Sequence, residues 1–315
     1  MNDTATPVKS AKLVPDFLII GAAKSGTSTL YRYLDKHPQV CFPPDKEPCF
    51  FDVNAAWDKG WDWYANLWAE RQEGQLLAEG STNYTFYPHV PNAPELIHEH
   101  APNCKLIYMM RHPVSRTYSH YAHRQTKELF PGKPFEHDVL EFAKIDPLIL
   151  DCSDYYKQIQ RYLALFPREQ MLFCFIGEMI KDPRSFTQNV CQFIGIDDQI
   201  DLTAEGQIVD NKGSKHRDGK LRYYTTEPFR KNPVIRTIAY ALPQPCRTFA
   251  YNLVKKTGYG KKMEQAFNPL PMTDDHVNWL LDRFKEGNDQ LASFLDVDLS
   301  HWNKPPKKQK GQQAK

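Results

Sequence analysis

The chain has 315 residues, 41% of them hydrophobic, so it is long enough to bury a substantial core. Its 40 Lys and Arg side chains nearly balance 38 Asp and Glu side chains, which gives a formal net charge of +2. This balance excludes the global basic field that would indicate nucleic acid or an anionic membrane as the main partner, so any anion site must be local.

The two ends of the chain are polar and lack periodicity, which predicts disordered tails over residues 1–14 and 304–315, the latter basic. Residues 15–303 are predicted to form a single domain. The start of the chain contains no apolar run long enough for a signal peptide, and no run anywhere is long enough for a membrane span. We therefore expect a soluble, cytoplasmic protein without an integral membrane segment.

Between the tails, short apolar runs alternate with amphipathic segments. Strands are predicted at residues 17–20, 76–80, 105–110 and 171–177, and helices at residues 29–37, 114–125 and 185–196. This alternation predicts an α/β fold in which helices flank both faces of a central parallel sheet. Ligands of such sheets bind at the carboxyl ends of the strands, which is where the motifs below begin.

The first strand leads into a loop of small residues, GAAKSGTST, from Gly21 to Thr29. Gly21 and Gly26 allow backbone N–H groups to approach a ligand closely, and the following helix N-terminus favours an oxyanion. Lys24 adds a positive charge. The nucleotide triphosphate loop G-x-x-x-x-G-K-[ST] requires a lysine where this chain has Thr27, so we interpret the loop as a site for a different anion. The alternative is a plain strand-to-helix turn with a solvated lysine.

A second basic segment follows the strand at residues 105–110. Arg111 is predicted at the tip of the strand, whereas Arg116 and Ser119 lie three residues apart on one helical face. The planar guanidinium group suits bidentate phosphate binding, although both arginines could instead pair with surface acids. A third segment, Asn211 to Arg217, is either an exposed loop or a flap over a ligand.

Together, Lys24-Ser25-Gly26-Thr27, the Arg111–Ser119 segment and the Lys212-Gly213-Ser214 loop resemble the sulfotransferases, which use 3′-phosphoadenosine 5′-phosphosulfate (PAPS) as donor. The chain is most similar to the branch containing heparan-sulfate-type glycan enzymes and bacterial members. Three further segments support this: Lys46–Asp52 resembles K-E-x-x-F-F, Gly60–Tyr64 resembles G-x-x-W-Y, and Glu79–Tyr84 resembles E-x-[ST]-x-x-Y. The resemblance implies a P-loop-like three-layer domain.

The resemblance also implies roles for individual residues. The donor would be held by Lys24, Ser25, Gly26, Thr27, Ser28, Thr29, Arg111, Ser119, Lys212, Gly213 and Ser214. Lys24 would stabilise the oxygen that leaves sulfur, and Glu47 would act as general base for the attacking hydroxyl or amine. The acceptor would be a carbohydrate, as part of a glycan or glycolipid, and no metal is implied.

Some features depart from this pattern or compete with it. Gly80 stands where glycan enzymes often carry a lysine, so a basic contact to an anionic acceptor is missing. His112 is an alternative base. The aromatic side chains of Trp61, Trp63, Tyr64, Trp68, Tyr84 and Phe86 are candidates for the acceptor cleft, and the pairs His98/His100 and His120/His123 have spacings that could suit a metal.

Two other functions are compatible with the loop. A kinase that uses a nucleotide triphosphate would need its lysine displaced from the usual position and would depend on magnesium. A nonenzymatic module that binds an adenine nucleotide would bind the donor without transferring any group.

Overall fold

The computed structural model describes residues 13–130, 133–204, 206 and 268–306, so Lys212, Gly213 and Ser214 lie outside the described residues. Within that part of the chain, residues 13–111, 155–204 and 206 form one compact unit. Residues 112–130, 133–154 and 268–306 form a second compact unit. The single domain over residues 15–303 stays a prediction.

The first unit contains a sheet of five parallel strands. These are β1 (Phe17–Gly21), β2 (Val40–Cys41), β3 (Leu76–Glu79), β4 (Lys105–Met110) and β5 (Met171–Phe175), in the spatial order β2-β3-β1-β4-β5. Strand β1 lies between β3 and β4 and is parallel to both. Because parallel strands end at the same edge of a sheet, the loops after these three strands all leave that edge, where ligands of parallel sheets bind.

The helices of the described residues are α1 (Thr27–Leu34), α2 (Gly60–Asn66), α3 (Ala93–His100), α4 (Pro113–His123), α5 (Val139–Ile145), α6 (Leu148–Asp151), α7 (Tyr155–Leu163), α8 (Ile176–Lys181), α9 (Pro183–Ile194) and α10 (Asp274–Leu295). Short 3₁₀ turns occur at Trp57–Lys59, Thr82–Thr85, Arg168–Gln170 and Ser300–Asn303, and α4 continues as a π-helical segment at Arg124–Leu129. No helix among these residues is both long enough and apolar enough to cross a membrane.

The core of the first unit is built on strand residues that point alternately to the two faces of the sheet. Phe17 and Ile19 of β1 pack in one cluster with Leu30 of α1 and Val190 of α9, so these two helices cover that face. The opposite face carries Tyr108 of β4, whose ring meets Tyr155 of α7. The first unit thus has helices on both faces of a parallel sheet, which confirms the predicted P-loop-like α/β fold.

The second unit has its own apolar cluster. Val114 and Tyr121 of α4 pack with Phe142 of α5 and with Leu280 and Phe284 of α10. The helix α10 begins at a Thr273 cap, whose hydroxyl accepts a hydrogen bond from the His276 N–H at 3.2 Å. This unit is therefore helical and lacks a sheet among the described residues.

Several predicted boundaries differ from the observed ones, and two elements show why. The strand predicted through residue 177 ends at Phe175, because Ile176 already begins α8 and the Phe175 N–H donates to the Glu178 carboxylate at 3.4 Å. The helix predicted over residues 29–37 begins earlier, at Thr27, and ends at Leu34, ahead of Pro38, which disfavours helical geometry at the residue before it.

Candidate active site

The loop between β1 and α1 is shaped by its two glycines. Gly26 has φ +92°, and a Cβ there would lie 3.0 Å from the side-chain ends of both Ile176 and Met179. A Cβ on Gly21 would lie 2.2 Å from the Thr85 hydroxyl. Both positions therefore require glycine, for conformation at Gly26 and for space at Gly21.

Backbone bonds fix the loop to the sheet and to itself. The Ala22 N–H donates to the Met109 carbonyl at 2.8 Å, and the Ser25 N–H donates to the Ala22 carbonyl at 3.1 Å. Gly26, at the N-cap of α1, provides no side chain to cap the helix. The Ser25 hydroxyl is fully buried and has no hydrogen-bond partner among the described residues. An unpaired buried donor beside a helix N-terminus is a suitable environment for a phosphate or sulfate oxygen.

Arg111 lies directly after β4, as predicted, and is half-buried. Its Nη1 lies 3.5 Å from the Lys24 carbonyl oxygen. The Tyr155 hydroxyl donates to the Arg111 carbonyl at 2.7 Å and accepts from the Arg111 N–H at 3.2 Å, so Tyr155 anchors the arginine backbone. The structure therefore brings Arg111 against the loop that carries Lys24.

Arg116, in contrast, is fully buried in the second unit. Its Nε donates to the Ser153 hydroxyl at 2.6 Å, and its Nη2 donates to the Ile149 carbonyl at 2.5 Å. These contacts give Arg116 a structural role in that unit. Ser119 lies half-buried on α4 of the second unit, and its contact with a donor stays a prediction.

Glu47 lies in the segment from Lys46 to Asp52, which we call the base segment. The Lys46 amine donates to the Ser28 hydroxyl at 3.0 Å and to the Glu47 carboxylate at 2.7 Å. The Thr82 hydroxyl lies 3.3 Å from the same carboxylate oxygen and donates to it. The Glu47 side chain is 42% exposed. Lys46 therefore joins Glu47 to the loop, while the carboxylate stays accessible to a second substrate.

Beneath the base segment lies a fully buried carboxylate, Glu79, at the end of β3. It accepts hydrogen bonds from three hydroxyls: Ser81 at 2.5 Å, Tyr84 at 2.6 Å and Tyr64 at 2.5 Å. Burial raises the pKa of the Glu79 carboxyl, and the three hydroxyl bonds oppose that rise. The pKa values of both tyrosines are raised well above the ordinary value by burial, so their hydroxyls keep their protons and act as donors.

Sequence reasoning identified the Glu79–Tyr84 segment only as a matching motif and assigned Glu79 no role. A glutamate in an apolar strand was the available signal, because a buried carboxylate needs several donors. The aromatic candidates for the acceptor cleft differ in exposure. Tyr64, Trp68 and Tyr84 are buried, whereas Trp61, Trp63 and Phe86 are half-buried.

The histidines considered above have other contacts. The His112 Nε2 lies 3.0 Å from the Lys304 carbonyl oxygen in the second unit. His100 packs against Trp57 and Trp61. Among the described residues, no group of three or more His, Cys, Asp or Glu side chains is placed to hold a metal ion.

Comparison with known proteins gives concordant matches. The family model described as sulfotransferase domain matches residues 14–233. The Homo sapiens heparan sulfate glucosamine 3-O-sulfotransferase 3B1 is 30% identical over 204 residues, which are 62% of this chain and 51% of that protein. The Homo sapiens bifunctional heparan sulfate N-deacetylase/N-sulfotransferase 3 is 29% identical over 211 residues, covering 62% of this chain and 24% of that protein.

The chain thus spans about half the length of the 3-O-sulfotransferase relatives it matches. Among solved structures, a sulfotransferase from Alicyclobacillus acidocaldarius aligns with a TM-score of 0.62 at 22% identity, covering 93% of this chain and 100% of that chain. At this identity the structural likeness bears on the fold alone.

Proposed function

The chain belongs to the sulfotransferase family, and from this membership we propose that it transfers a sulfuryl group from PAPS to a hydroxyl or amine of a carbohydrate or glycoconjugate. The reaction is that of an EC 2.8.2 transferase. The observation that carries the proposal is the contact of Lys46 with both Ser28 and Glu47, because it joins an anion-binding loop to an accessible carboxylate.

The residues present fit the donor. The N-terminus of α1 and the unpaired Ser25 hydroxyl supply hydrogen-bond donors for the 5′-phosphosulfate, together with Thr27, Ser28 and Thr29. Arg111, held against the Lys24 carbonyl, is the described residue we assign to the 3′-phosphate. For Ser119, and for Lys212, Gly213 and Ser214 outside the described residues, a role in holding the donor stays a prediction from the resemblance.

When bound, PAPS supplies a sulfuryl group on an anhydride oxygen that accepts negative charge as the bond to sulfur breaks. Lys24 holds a positive charge for that oxygen, so no magnesium ion is needed to bridge two phosphates. This accounts for Thr27 at the position where a nucleotide triphosphate loop carries its lysine.

Glu47 removes the proton from the attacking hydroxyl or amine. Its carboxylate is exposed enough for an acceptor to reach, and Thr82 and Lys46 orient one of its oxygens. The other oxygen is thus available as the proton acceptor, in the position that a general base requires.

The acceptor class rests on the relatives, whose names specify heparan sulfate. We propose a carbohydrate acceptor less anionic than a long sulfated polysaccharide. In support, a Cβ on Gly80 would lie 3.1 Å from the Tyr31 ring, so this position has little room for a basic side chain. Half-buried Trp61 and Trp63 are suitable surfaces for a sugar ring.

The test of donor choice is thermal unfolding with nucleotides, first in the absence of magnesium and then in its presence. We expect 3′-phosphoadenosine 5′-phosphate to raise the Tm strongly and AMP or ATP to raise it little. Equal shifts with all three would contradict the proposal, and a shift with ATP that depends on magnesium would favour the kinase.

The test of transfer is incubation with PAPS carrying radiolabelled sulfate and a panel of hydroxylated and amino carbohydrates, followed by mass spectrometry of any labelled product. Labelling of an acceptor by the wild-type chain is the expected result. Donor binding without labelling of any acceptor in a broad panel would favour the nonenzymatic module.

A further inference from the structure

The base segment adopts a backbone that requires support from outside. Glu47 has φ +63° and Cys49 has φ +55°, and both are non-glycine residues in the left-handed region. Such conformations are unfavourable and persist only where surrounding contacts hold them. The question is which contacts hold the segment that presents Glu47.

Two backbone N–H groups of the segment are bound by side-chain hydroxyls. The Cys49 N–H donates to the Ser81 hydroxyl at 3.0 Å, and the Phe51 N–H donates to the Tyr84 hydroxyl at 3.1 Å. Each of these hydroxyls has a single proton, which it donates to the same oxygen of Glu79. Glu79 therefore orients both hydroxyls so that their lone pairs face the base segment.

We propose that Glu79 is a positioning residue for sulfuryl transfer, which acts through Ser81 and Tyr84 to hold the base segment and thereby to aim Glu47 at the acceptor. This inference rests on the proposed function of Glu47 as general base. It assigns a role to a fully buried carboxylate at the end of β3 that touches no substrate.

The third donor to Glu79 provides a matched control. The Tyr64 hydroxyl donates to the other Glu79 oxygen at 2.5 Å and is not bonded to the base segment. Tyr64 is buried like Tyr84, and its ring stacks on Phe50 with centroids 4.0 Å apart, a contact that phenylalanine retains. Tyr64→Phe and Tyr84→Phe thus remove the same atom next to the same carboxylate, but only the second removes a partner of the segment.

In the full chain, we expect Tyr84→Phe to lower kcat for sulfate transfer by about tenfold or more, because small displacements of a reacting group are costly. The affinity for 3′-phosphoadenosine 5′-phosphate should stay unchanged, since the hydroxyl lies outside the donor loop. Tyr64→Phe should lower kcat by less than about threefold. If the hydroxyls only stabilised the fold, both variants would have a lower Tm, and neither would show a lower kcat at unchanged donor affinity.

A second measurement does not depend on activity. Hydrogen exchange at the Phe51 amide should be faster in Tyr84→Phe than in the wild type or Tyr64→Phe, and exchange at Cys49 should be faster in Ser81→Ala. Glu79→Gln has one carbonyl oxygen for three hydroxyl donors and should also lower kcat. Combined with Tyr84→Phe, Glu79→Gln should lower kcat by less than the product of the two single effects, because both changes disturb the same hydrogen-bonded support of the base segment.

Equal kcat and equal Phe51 exchange in the two phenylalanine variants would overturn the inference, as would independent multiplication of the Glu79→Gln and Tyr84→Phe effects. A wild-type chain that transfers no sulfate would instead overturn the proposed function, together with the catalytic consequence of this contact network. The exchange results would still show whether Tyr84 holds the segment.

Discussion

The donor loop (Gly21–Thr29) and the base segment lie side by side, but they are held in different ways. Apart from the Ala22 N–H, which bonds to Met109 of β4, the backbone bonds within the donor loop join close neighbours, such as the Thr29 N–H and the Gly26 carbonyl at 3.0 Å. The base segment is held by Ser81 and Tyr84, which lie 32 and 33 residues away from their partners Cys49 and Phe51. A site for an anion can thus be encoded locally, whereas the position of the base depends on a distant strand.

This difference predicts that the two regions fail in different ways. Changes in the donor loop should weaken donor binding, because the loop provides the donors and charge for an anion. Changes at the tip of the base segment should reduce turnover and leave donor binding intact. The four substitutions below test that separation.

Glu47→Gln should have the largest effect on turnover. Loss of a general base is expected to lower kcat by about 10²–10⁴-fold, while the Tm shift with 3′-phosphoadenosine 5′-phosphate stays as in the wild type. Steady-state kinetics with labelled PAPS measures the first quantity. Glu73→Gln, at an exposed position, is the control for the change of charge. Full activity of Glu47→Gln would remove Glu47 as the base.

Lys24→Ala should lower kcat/KM by about 10²–10³-fold, because the departing oxygen loses its positive charge. Donor affinity should fall as well, which distinguishes this variant from Glu47→Gln. Isothermal titration with 3′-phosphoadenosine 5′-phosphate gives the affinity. Lys36→Ala, on the exposed turn after α1, removes the same charge outside the loop and should bind the donor normally.

Arg111→Ala should weaken donor binding by about 1.5–3 kcal/mol, the contribution typical of hydrogen bonds to charged groups. Its kcat at saturating donor should fall much less, because Arg111 is placed on the 3′-phosphate and not at sulfur. Arg71→Ala, an exposed arginine, is the control. If Arg111→Ala binds 3′-phosphoadenosine 5′-phosphate as tightly as the wild type does, the 3′-phosphate site must lie elsewhere.

Ser25→Ala should have the smallest effect of the four. Loss of one neutral donor is expected to weaken donor binding by about 0.5–1.5 kcal/mol. In the absence of donor, the same change should cost no stability, because the buried hydroxyl bonds to none of the residues that the structure describes. Thermal unfolding with and without nucleotide measures both. A large loss of Tm without nucleotide would show that the hydroxyl is needed by the fold itself.

The sequence predicted the donor side of the site more fully than the base side. Strands β1 and β4, the glycine-containing loop and Arg111 at a strand end all follow from local apolar runs and residue types. The base segment was found only by resemblance, and its supporting hydroxyls were not assigned. Arg116 shows most clearly what the sequence could not predict, because it shares a motif with Arg111 but is fully buried.

The sequence alone determined the α/β class, the anion-binding character of Gly21–Thr29 and the absence of the lysine that a nucleotide triphosphate loop needs. These properties depend on spacing along the chain, which a sequence displays directly. Tertiary structure decided that Lys46 joins Ser28 to Glu47 and that the Tyr84 hydroxyl accepts a hydrogen bond from the Phe51 N–H. It also decided that Glu79 accepts hydrogen bonds from three hydroxyls. Those contacts depend on parallel strands bringing distant loops to one edge of the sheet, so no local pattern specifies them.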